Sequence, residues 1–483
     1  MEELDIAAIT KRSIHGVFAL VTRTFVISII SFIVNFLLTV FLSPIVFGVY
    51  YLVTAVIAFL SYFSDIGLAA ALIQKKEPLT QEDLKTTFTI QQILVVTACT
   101  IALLVTPFFA KFYQLNNSGT YLFVALVVAF FLSSLKTIPS ILLERELHFE
   151  KLVIPQIVET LAFNIVALIL AIKGFGISSF SYAVVARGFT GLIAMYIVSP
   201  WKVEFGISKK TAKELLSFGI PFQANSFVAL LKDDLLIAYI GRILPLAQVG
   251  YIGFAQKWAF APLRLIMDNI IRITFPSFSR LQDEKALLAK GIEKSLFVLT
   301  FLILPSLVGL VVLAPSFIHV IPRYQKWEPA LISLGFFAMS AALASVSTPL
   351  VNALNAIGRI RTTFYFMVGW TIATWVLTPL LIVLYGFNGF AAGSALIGIS
   401  IIIVVKVTKK YINFSLKPIM LPVFSTIILG IFLLSVTHFF TLNLIAIFAT
   451  ILCGGGLYIL IVYLLGKEEL LRDIATIRRQ FVQ

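Results

Sequence analysis

From residue 14 onward the chain reads as long apolar runs separated by short polar breaks. A helix of about 20 apolar residues crosses a hydrocarbon core of about 30 Å. Fourteen runs of that kind can be placed, at 14–42, 46–72, 85–110, 119–141, 152–172, 177–199, 214–241, 247–274, 292–314, 328–354, 362–384, 387–408, 417–438 and 441–466. A transmembrane β-barrel would instead alternate with period two in segments of about 10 residues. The connections are short, and none is long enough to form a soluble domain. The first run is too long for the apolar region of a signal peptide and lacks a small-residue cleavage site, so it reads as a span. The pattern predicts an all-α polytopic membrane protein with about 14 transmembrane helices.

Composition agrees: 60% of the residues are hydrophobic and only 12% charged, where ordinary globular domains carry about 25% charge. In a soluble protein the net charge of +14 would point to nucleic acid. Here its distribution across the loops excludes that partner and sets the orientation instead. Of the 37 Lys and Arg, 25 fall in the N-terminal segment, in alternate loops and in the C-terminal tail. The opposite loops hold five: Lys111, Lys173, Arg242, Arg323 and Lys326. The positive-inside rule then puts both termini in the cytoplasm. A missed or extra span would reverse the alternation partway along the chain. In the tail, Leu470, Leu471, Ile474, Ile477 and Phe481 fall near helical spacing with Arg472, Arg478 and Arg479 between them. That pattern predicts an amphipathic helix lying on the inner leaflet.

Seven basic residues remain inside spans: Arg23, Lys136, Arg187, Lys232, Lys257, Arg264 and Arg272. The acids inside spans are Asp65, Glu159, Asp233, Asp234 and Asp268. A charge at the bilayer centre costs at least about 2.5–3.5 kcal/mol, so such residues face a partner or a wet cavity. For Arg23, Lys136 and Arg187, snorkelling or a structural ion pair stands beside a cavity role. The eighth span is more specific. At about 100° per residue, Lys257, Arg264, Asp268 and Arg272 project within an arc of about 80°. Such a stripe cannot face lipid, and its net positive charge suits an anion, a phosphate above all. The alternative is an internal network in which Asp268 holds Arg264 and Arg272. In the seventh span Lys232, Asp233 and Asp234 are consecutive and cannot share a face. One acid can pair with a base while the other serves as a protonatable or cation-binding group in coupling.

Other chemistry is sparse. Cys99 and Cys453 lie in apolar runs and imply neither a disulfide framework nor a metal site. His15, His148, His319 and His438 are scattered and form no cluster. No G-x-x-x-x-G-K-[ST] motif is present, so direct use of ATP is not indicated. No cofactor is expected.

The chain repeats weakly with a period of about 200 residues. "LSPIVFGVYYL" (42–52) joins the first two spans, and "LPLAQVGYIGF" (244–254) joins the seventh and eighth. Six spans per repeat is even, so both repeats share one orientation and relate by an axis along the membrane normal. Residues 1–205 and 206–412 are the expected six-helix lobes, followed by two further helices at 413–466 and the tail at 467–483.

The stretches "LSPIVFGVYYL…FSDIGLAAALIQ" (42–74), "PSILLERELHF" (139–149) and "FGIPFQANSF…DDLLIAYIGRILPLAQVGYIGFAQK" (218–257) resemble the polysaccharide transporter family. This family holds O-antigen and colanic-acid type flippases of the multidrug/oligosaccharidyl-lipid/polysaccharide superfamily. The resemblance covers nearly the whole chain. It implies two six-helix lobes in a V shape plus two C-terminal helices. It also implies movement of a polyprenyl-diphosphate-linked oligosaccharide from the inner to the outer leaflet of the cytoplasmic membrane. The family's cationic cavity corresponds here to the charged span positions named above. Asp65 in "FSDIGL" and Asp234 before "LLIAYIG" match the family pattern, as do Gly48, Gly67 and Gly250, which read as close helix packing.

Such a cargo has a diphosphate, a sugar chain and an apolar tail. The basic span residues suit the diphosphate. Ser28, Ser31, Asn35 and Thr39 on one face of the first span suit sugars. The tail can stay among the membrane lipids. Glycosyltransferases and a glycan polymerase of the same pathway are the expected partners. Three alternatives remain open: a cation-coupled exporter of drugs or metabolites, a flippase for the peptidoglycan precursor, and a membrane glycan polymerase. A drug exporter would favour an acidic, aromatic cavity. A polymerase would need a substantial extracytoplasmic loop with catalytic side chains.

Overall fold

The computed structural model describes residues 27, 29–75 and 77–481, except for the side chains of 63–65, 221, 222, 224–229, 231–233, 273 and 467–481. Arg23 and Ser28, and the side chains of Asp65, Lys232 and Asp233, therefore lie outside the described residues. The described chain is helical, with no strand in it. Helices are numbered in chain order from α1 (Ile29–Phe41). Eleven spans among the described residues are long and apolar enough to cross a membrane. Each of the fourteen apolar runs carries a helix. The seventh and eighth, α9 (Lys209–Ile243) and α10 (Leu246–Arg280), are 35 residues each and hold most of the in-span charge.

Three runs are each built from two helices. Run 46–72 divides into α2 (Pro44–Asp65) and α3 (Leu68–Gln74). Ile66 at φ 45° and Gly67 at φ 75° take the left-handed conformation between them, which costs a β-branched residue such as Ile66 energy and Gly67 none. Run 119–141 divides into α5 (Asn117–Ser134) and α6 (Thr137–Arg145), with Lys136 at the junction. Run 387–408 divides into α14 (Asn388–Gly398) and α15 (Ile401–Lys409). The apolar runs do not show these breaks, because apolar residues continue on both sides of each. The remaining helices are α4 (Gln81–Phe112), α7 (Phe149–Ile172), α8 (Ser178–Val198), α11 (Lys285–Val320), α12 (Leu331–Ala356), α13 (Ile360–Tyr385), α16 (Lys417–Phe439) and α17 (Leu444–Phe481). The tail is the continuation of α17.

The chain divides into two compact units, one ending at Gly250 and one beginning at Tyr251. In the first, α8 packs on α5 and α7, α4 packs on α5, and α2 packs on α4, α5 and α9. In the second, α14 packs on α12 and α13, and α11 packs on α12. The contacts α4–α5, α5–α8 and α7–α8 of the first unit thus have counterparts in α11–α12, α12–α14 and α13–α14 of the second. The second unit adds α16 and α17, which pack on each other and on α11.

Glycine sets the closest approaches in the first unit. A Cβ on Gly67 would lie 2.3 Å from the Gly219 carbonyl oxygen, and one on Gly219 would lie 2.6 Å from that of Ile66. Gly48 and Gly250 likewise meet backbone rather than side chains. The cytoplasm-facing ends expected from the charge pattern are tied by polar contacts. Thr80 and Asp83 form a capping box at the start of α4. Lys75 Nζ donates to Asp83 Oδ1 at 2.9 Å and lies 3.6 Å from Glu214 on α9. The Asp83 hydrogen bond raises the Lys75 pKa above its ordinary value. Arg145 donates to the carbonyl oxygens of Leu72 and Glu77.

Candidate functional site

Among the described residues two charged groupings lie within the spans, one in each unit. The first comes from three helices. Lys136 stands at the α5–α6 junction, Glu159 on α7 and Arg187 on α8. Lys136 Nζ donates to Glu159 Oε1, and Arg187 Nε donates to Glu159 Oε2 at 3.5 Å. Glu159 is only 7% exposed. Its burial is tolerable because both oxygens meet a cation. The Arg187 side chain stays 56% exposed, so its far edge remains open while Nε is held. Two cations against one anion leave the cluster net positive.

Gly191, one turn after Arg187, makes room for Glu159: a Cβ there would lie 2.3 Å from Glu159 Cγ. Sequence reasoning missed this residue. Its signal is the R-G-F-T-G run (187–191), which sets small residues on α8 next to the charge. It also missed Asn164, which is 2% exposed on α7. Asn164 Nδ2 donates to Ser31 Oγ at 3.4 Å and so ties the polar face of α1 to α7. On α1 itself, Asn35 Nδ2 donates to the Ser31 carbonyl oxygen at 2.6 Å. Thr39 Oγ1 donates to the Phe36 carbonyl oxygen at 2.6 Å and is buried.

The second grouping is a stripe on α10. Ala255, Ala259, Leu263 and Met267 are buried at i, i+4 spacing and form the inward face. Lys257, Arg264, Asp268 and Arg272 lie on the opposite side and are all exposed. Near the start of the helix Phe254 stacks on Trp327 at 4.2 Å between ring centroids. No ion pair within 4.0 Å joins Asp268 to Arg264 or Arg272 among the described residues. The Asp268-centred network open from the sequence is therefore not formed. Lys257 and Arg264 are close enough to act on each other as like charges. Arg264 and Arg272 are exposed and make no ion pair with Asp268, and guanidinium groups can meet phosphate oxygens two at a time. Asp234 on α9 is half-buried. Among the described residues there is no group of three or more His, Cys, Asp or Glu placed to hold a metal.

Residues 37–332 match a family described as polysaccharide biosynthesis protein. Among curated relatives, the chain is 23% identical over 475 residues to an uncharacterized membrane protein in the cps region of Klebsiella pneumoniae, covering 94% of this chain and 95% of the relative. It is 25% identical over 325 residues to lipopolysaccharide biosynthesis protein WzxC of Escherichia coli (strain K12), covering 67% of this chain and 65% of that one. Among solved structures, the lipid II flippase MurJ in an inward closed conformation superposes with a TM-score of 0.77 at 13% identity, over 93% of this chain and 99% of MurJ. At that identity the likeness is one of fold.

Proposed function

The chain belongs to the polysaccharide biosynthesis protein family, and on that footing we propose that it is a flippase for a polyprenyl-diphosphate-linked oligosaccharide. It acts in the cytoplasmic membrane with both termini in the cytoplasm, and it carries the head group from the inner to the outer leaflet for surface polysaccharide synthesis. The observation that carries this reading is the exposed stripe of Lys257, Arg264 and Arg272 along one face of a helix in a membrane protein. A helix face of that kind is costly against lipid and favourable against a diphosphate. Arg187, held at Nε and open beyond it, is a second contact for the same group, and Lys136 supports it through Glu159. Arg23 and Lys232 complete the set of basic residues assigned to the cargo. Ser28, Ser31 and Asn35 on α1 are assigned to the sugars.

The repeats, 1–205 and 206–412, are the two halves whose alternation would expose these residues first to one side and then to the other. No covalent bond is made or broken in this step, so the protein is a transporter rather than an enzyme. Glu159 serves as an ion-pair residue; Asp65, Asp233, Asp234 and Asp268 are the candidates for coupling. Glycosyltransferases that build the oligosaccharide and a polymerase that consumes it are the proposed pathway partners.

The test is depletion of the protein in its host, followed by mass spectrometry of extracted lipids. The expected result is accumulation of a complete, unpolymerised polyprenyl-diphosphate oligosaccharide together with loss of the surface glycan. If the glycan still reached the surface and the cells became sensitive to small organic cations, the exporter reading would replace this one.

A further inference from the structure

A groove of about 540 Å³ opens on the first unit between α4, α5, α8 and the irregular segment that follows α8. It is walled by Phe88 and Val96 of α4, Phe131 of α5, Leu192 and Ile193 of α8, and Phe205. The two polar side chains that reach it are already bonded inside the protein. Gln92 Nε2 donates to Ser134 Oγ at 3.1 Å, and Tyr196 Oη donates to the Leu135 carbonyl oxygen at 3.0 Å. The groove therefore offers an occupant only apolar contact.

The segment after α8 closes the groove as a strap. The Gly206 amide donates to Thr89 Oγ1 at 2.9 Å, the Ser208 amide donates to Thr86 Oγ1 at 3.1 Å, and Trp201 packs edge-on against Phe88. Val203, Phe205 and Ile207 alternate along it and are exposed, Phe205 by 70%. Exposed apolar residues at every second position, beside exposed Ile193 and Val96 in the spans, face hydrocarbon and not water.

We propose that this groove holds one acyl chain of an anionic phospholipid of the inner leaflet, with its phosphate beside Lys85 and Lys202. Lys202 precedes Val203, a lining residue, and is exposed. Lys85 runs along the strap, its Cδ 3.1 Å from where a Cβ on Gly206 would stand. The opposing charges are Glu204 on the strap and Glu82 of α4, which acts on Lys85 and accepts a hydrogen bond from Thr211 Oγ1. Two lysines at a membrane surface correspond to about a 25-fold preference for an anionic head group. The cargo's own tail is the less favoured occupant. Gly191, against Glu159, and Ile193, in the groove, lie about 160° apart around α8, so the groove and the Glu159 cluster are on opposite sides of that helix. Assignment to the inner leaflet rests on the orientation proposed above. The binding itself does not.

The test is native mass spectrometry of the purified full chain in detergent doped with palmitoyl-oleoyl phosphatidylglycerol or the matching phosphatidylethanolamine. No glycan is present, so the outcome is independent of flippase activity. Wild type is expected to retain one phosphatidylglycerol under conditions that strip phosphatidylethanolamine. Val96→Trp with Ile193→Trp, which fills the groove from two exposed positions, is expected to abolish retention. Lys85→Gln with Lys202→Gln, which leaves the groove intact, is expected to remove the preference for the anionic lipid. Equal retention of the two lipids by wild type would overturn the proposal, as would unchanged retention in the filled variant. Displacement of phosphatidylglycerol by a polyprenyl phosphate would overturn it in favour of a site for the cargo tail.

Discussion

Gly48 and Gly250 each lie against the backbone of the helix that carries the other. A Cβ on Gly48 would lie 1.8 Å from the Leu246 carbonyl oxygen, and a Cβ on Gly250 would lie 2.0 Å from that of Pro44. When the stretches 42–52 and 244–254 are aligned, Pro44 falls on Leu246 and Gly48 on Gly250. The contact is therefore reciprocal, as a two-fold relation between the two stretches requires. The motifs that carry the repeat in the sequence are the same ones that touch in the fold.

Because both clashes are with backbone, Gly48→Ala or Gly250→Ala must separate α2 from the start of α10. Each is expected to lower stability by about 1–3 kcal/mol, the ordinary cost of overpacking. The double variant should cost less than the sum, since either substitution alone already opens the same contact. Thermal unfolding of the four proteins in detergent checks this; strict additivity would show that the two glycines act separately.

Removing Glu159 would leave Lys136 and Arg187 facing each other without the anion between them. Glu159→Gln is expected to destabilise the first unit by about 3 kcal/mol, because breaking a buried pair costs more than deleting it whole. Lys136→Met in the same chain should return much of that loss. Gly191→Ala should mimic Glu159→Gln by pushing the carboxylate off its partners. A double-mutant cycle on Lys136 and Glu159, read by thermal unfolding, tests the coupling; a coupling energy near zero would refute it.

The α10 stripe was legible in the sequence because all four charges sit on one helix and the helical period alone puts them on one face. The cluster around Glu159 was not. Its members come from three helices, 23 and 28 residues from Glu159, and no periodicity links them. The order of the apolar helices followed from hydropathy. The break at Ile66 and Gly67 did not, since the run stays apolar across it. The strap after α8 shows only as alternating Val203, Phe205 and Ile207, a pattern too short to separate from a loop. The amphipathic tail is helical to Phe481, but its side chains lie outside the described residues.

Lys75 gives a pH-dependent signature. Its pKa is raised above 10.5, first by its hydrogen bond to Asp83. A raised pKa on a base means stability that is complete below the unfolded value and fades as pH climbs through the folded one. The stability difference between wild type and Lys75→Met is therefore expected to be constant from neutral pH to about 9 and to shrink above 10.5. Thermal unfolding across that range reads it directly, and a difference that disappears nearer neutral pH would contradict the assignment.

Arg264 and Arg272 are expected to matter as guanidinium groups and not merely as charges. Arg264→Gln or Arg272→Gln should weaken binding of a polyprenyl diphosphate by about tenfold or more, a loss of one charge-assisted bond. Lysine at either position should restore only part of it. Asp268→Asn should leave binding intact or strengthen it. Wild-type affinity in all four arginine variants, by microscale thermophoresis in detergent, would remove these residues from the cargo site.

The most direct measurement is transport by the purified protein in liposomes loaded with a fluorescent polyprenyl-diphosphate oligosaccharide. A membrane-impermeant glycosidase reports how much glycan has reached the opposite leaflet. Protein-dependent exposure that is lost in the Arg264→Gln, Arg272→Gln double variant is the predicted result. Exposure no faster than in protein-free liposomes, with uptake of small organic cations in its place, would contradict the flippase assignment.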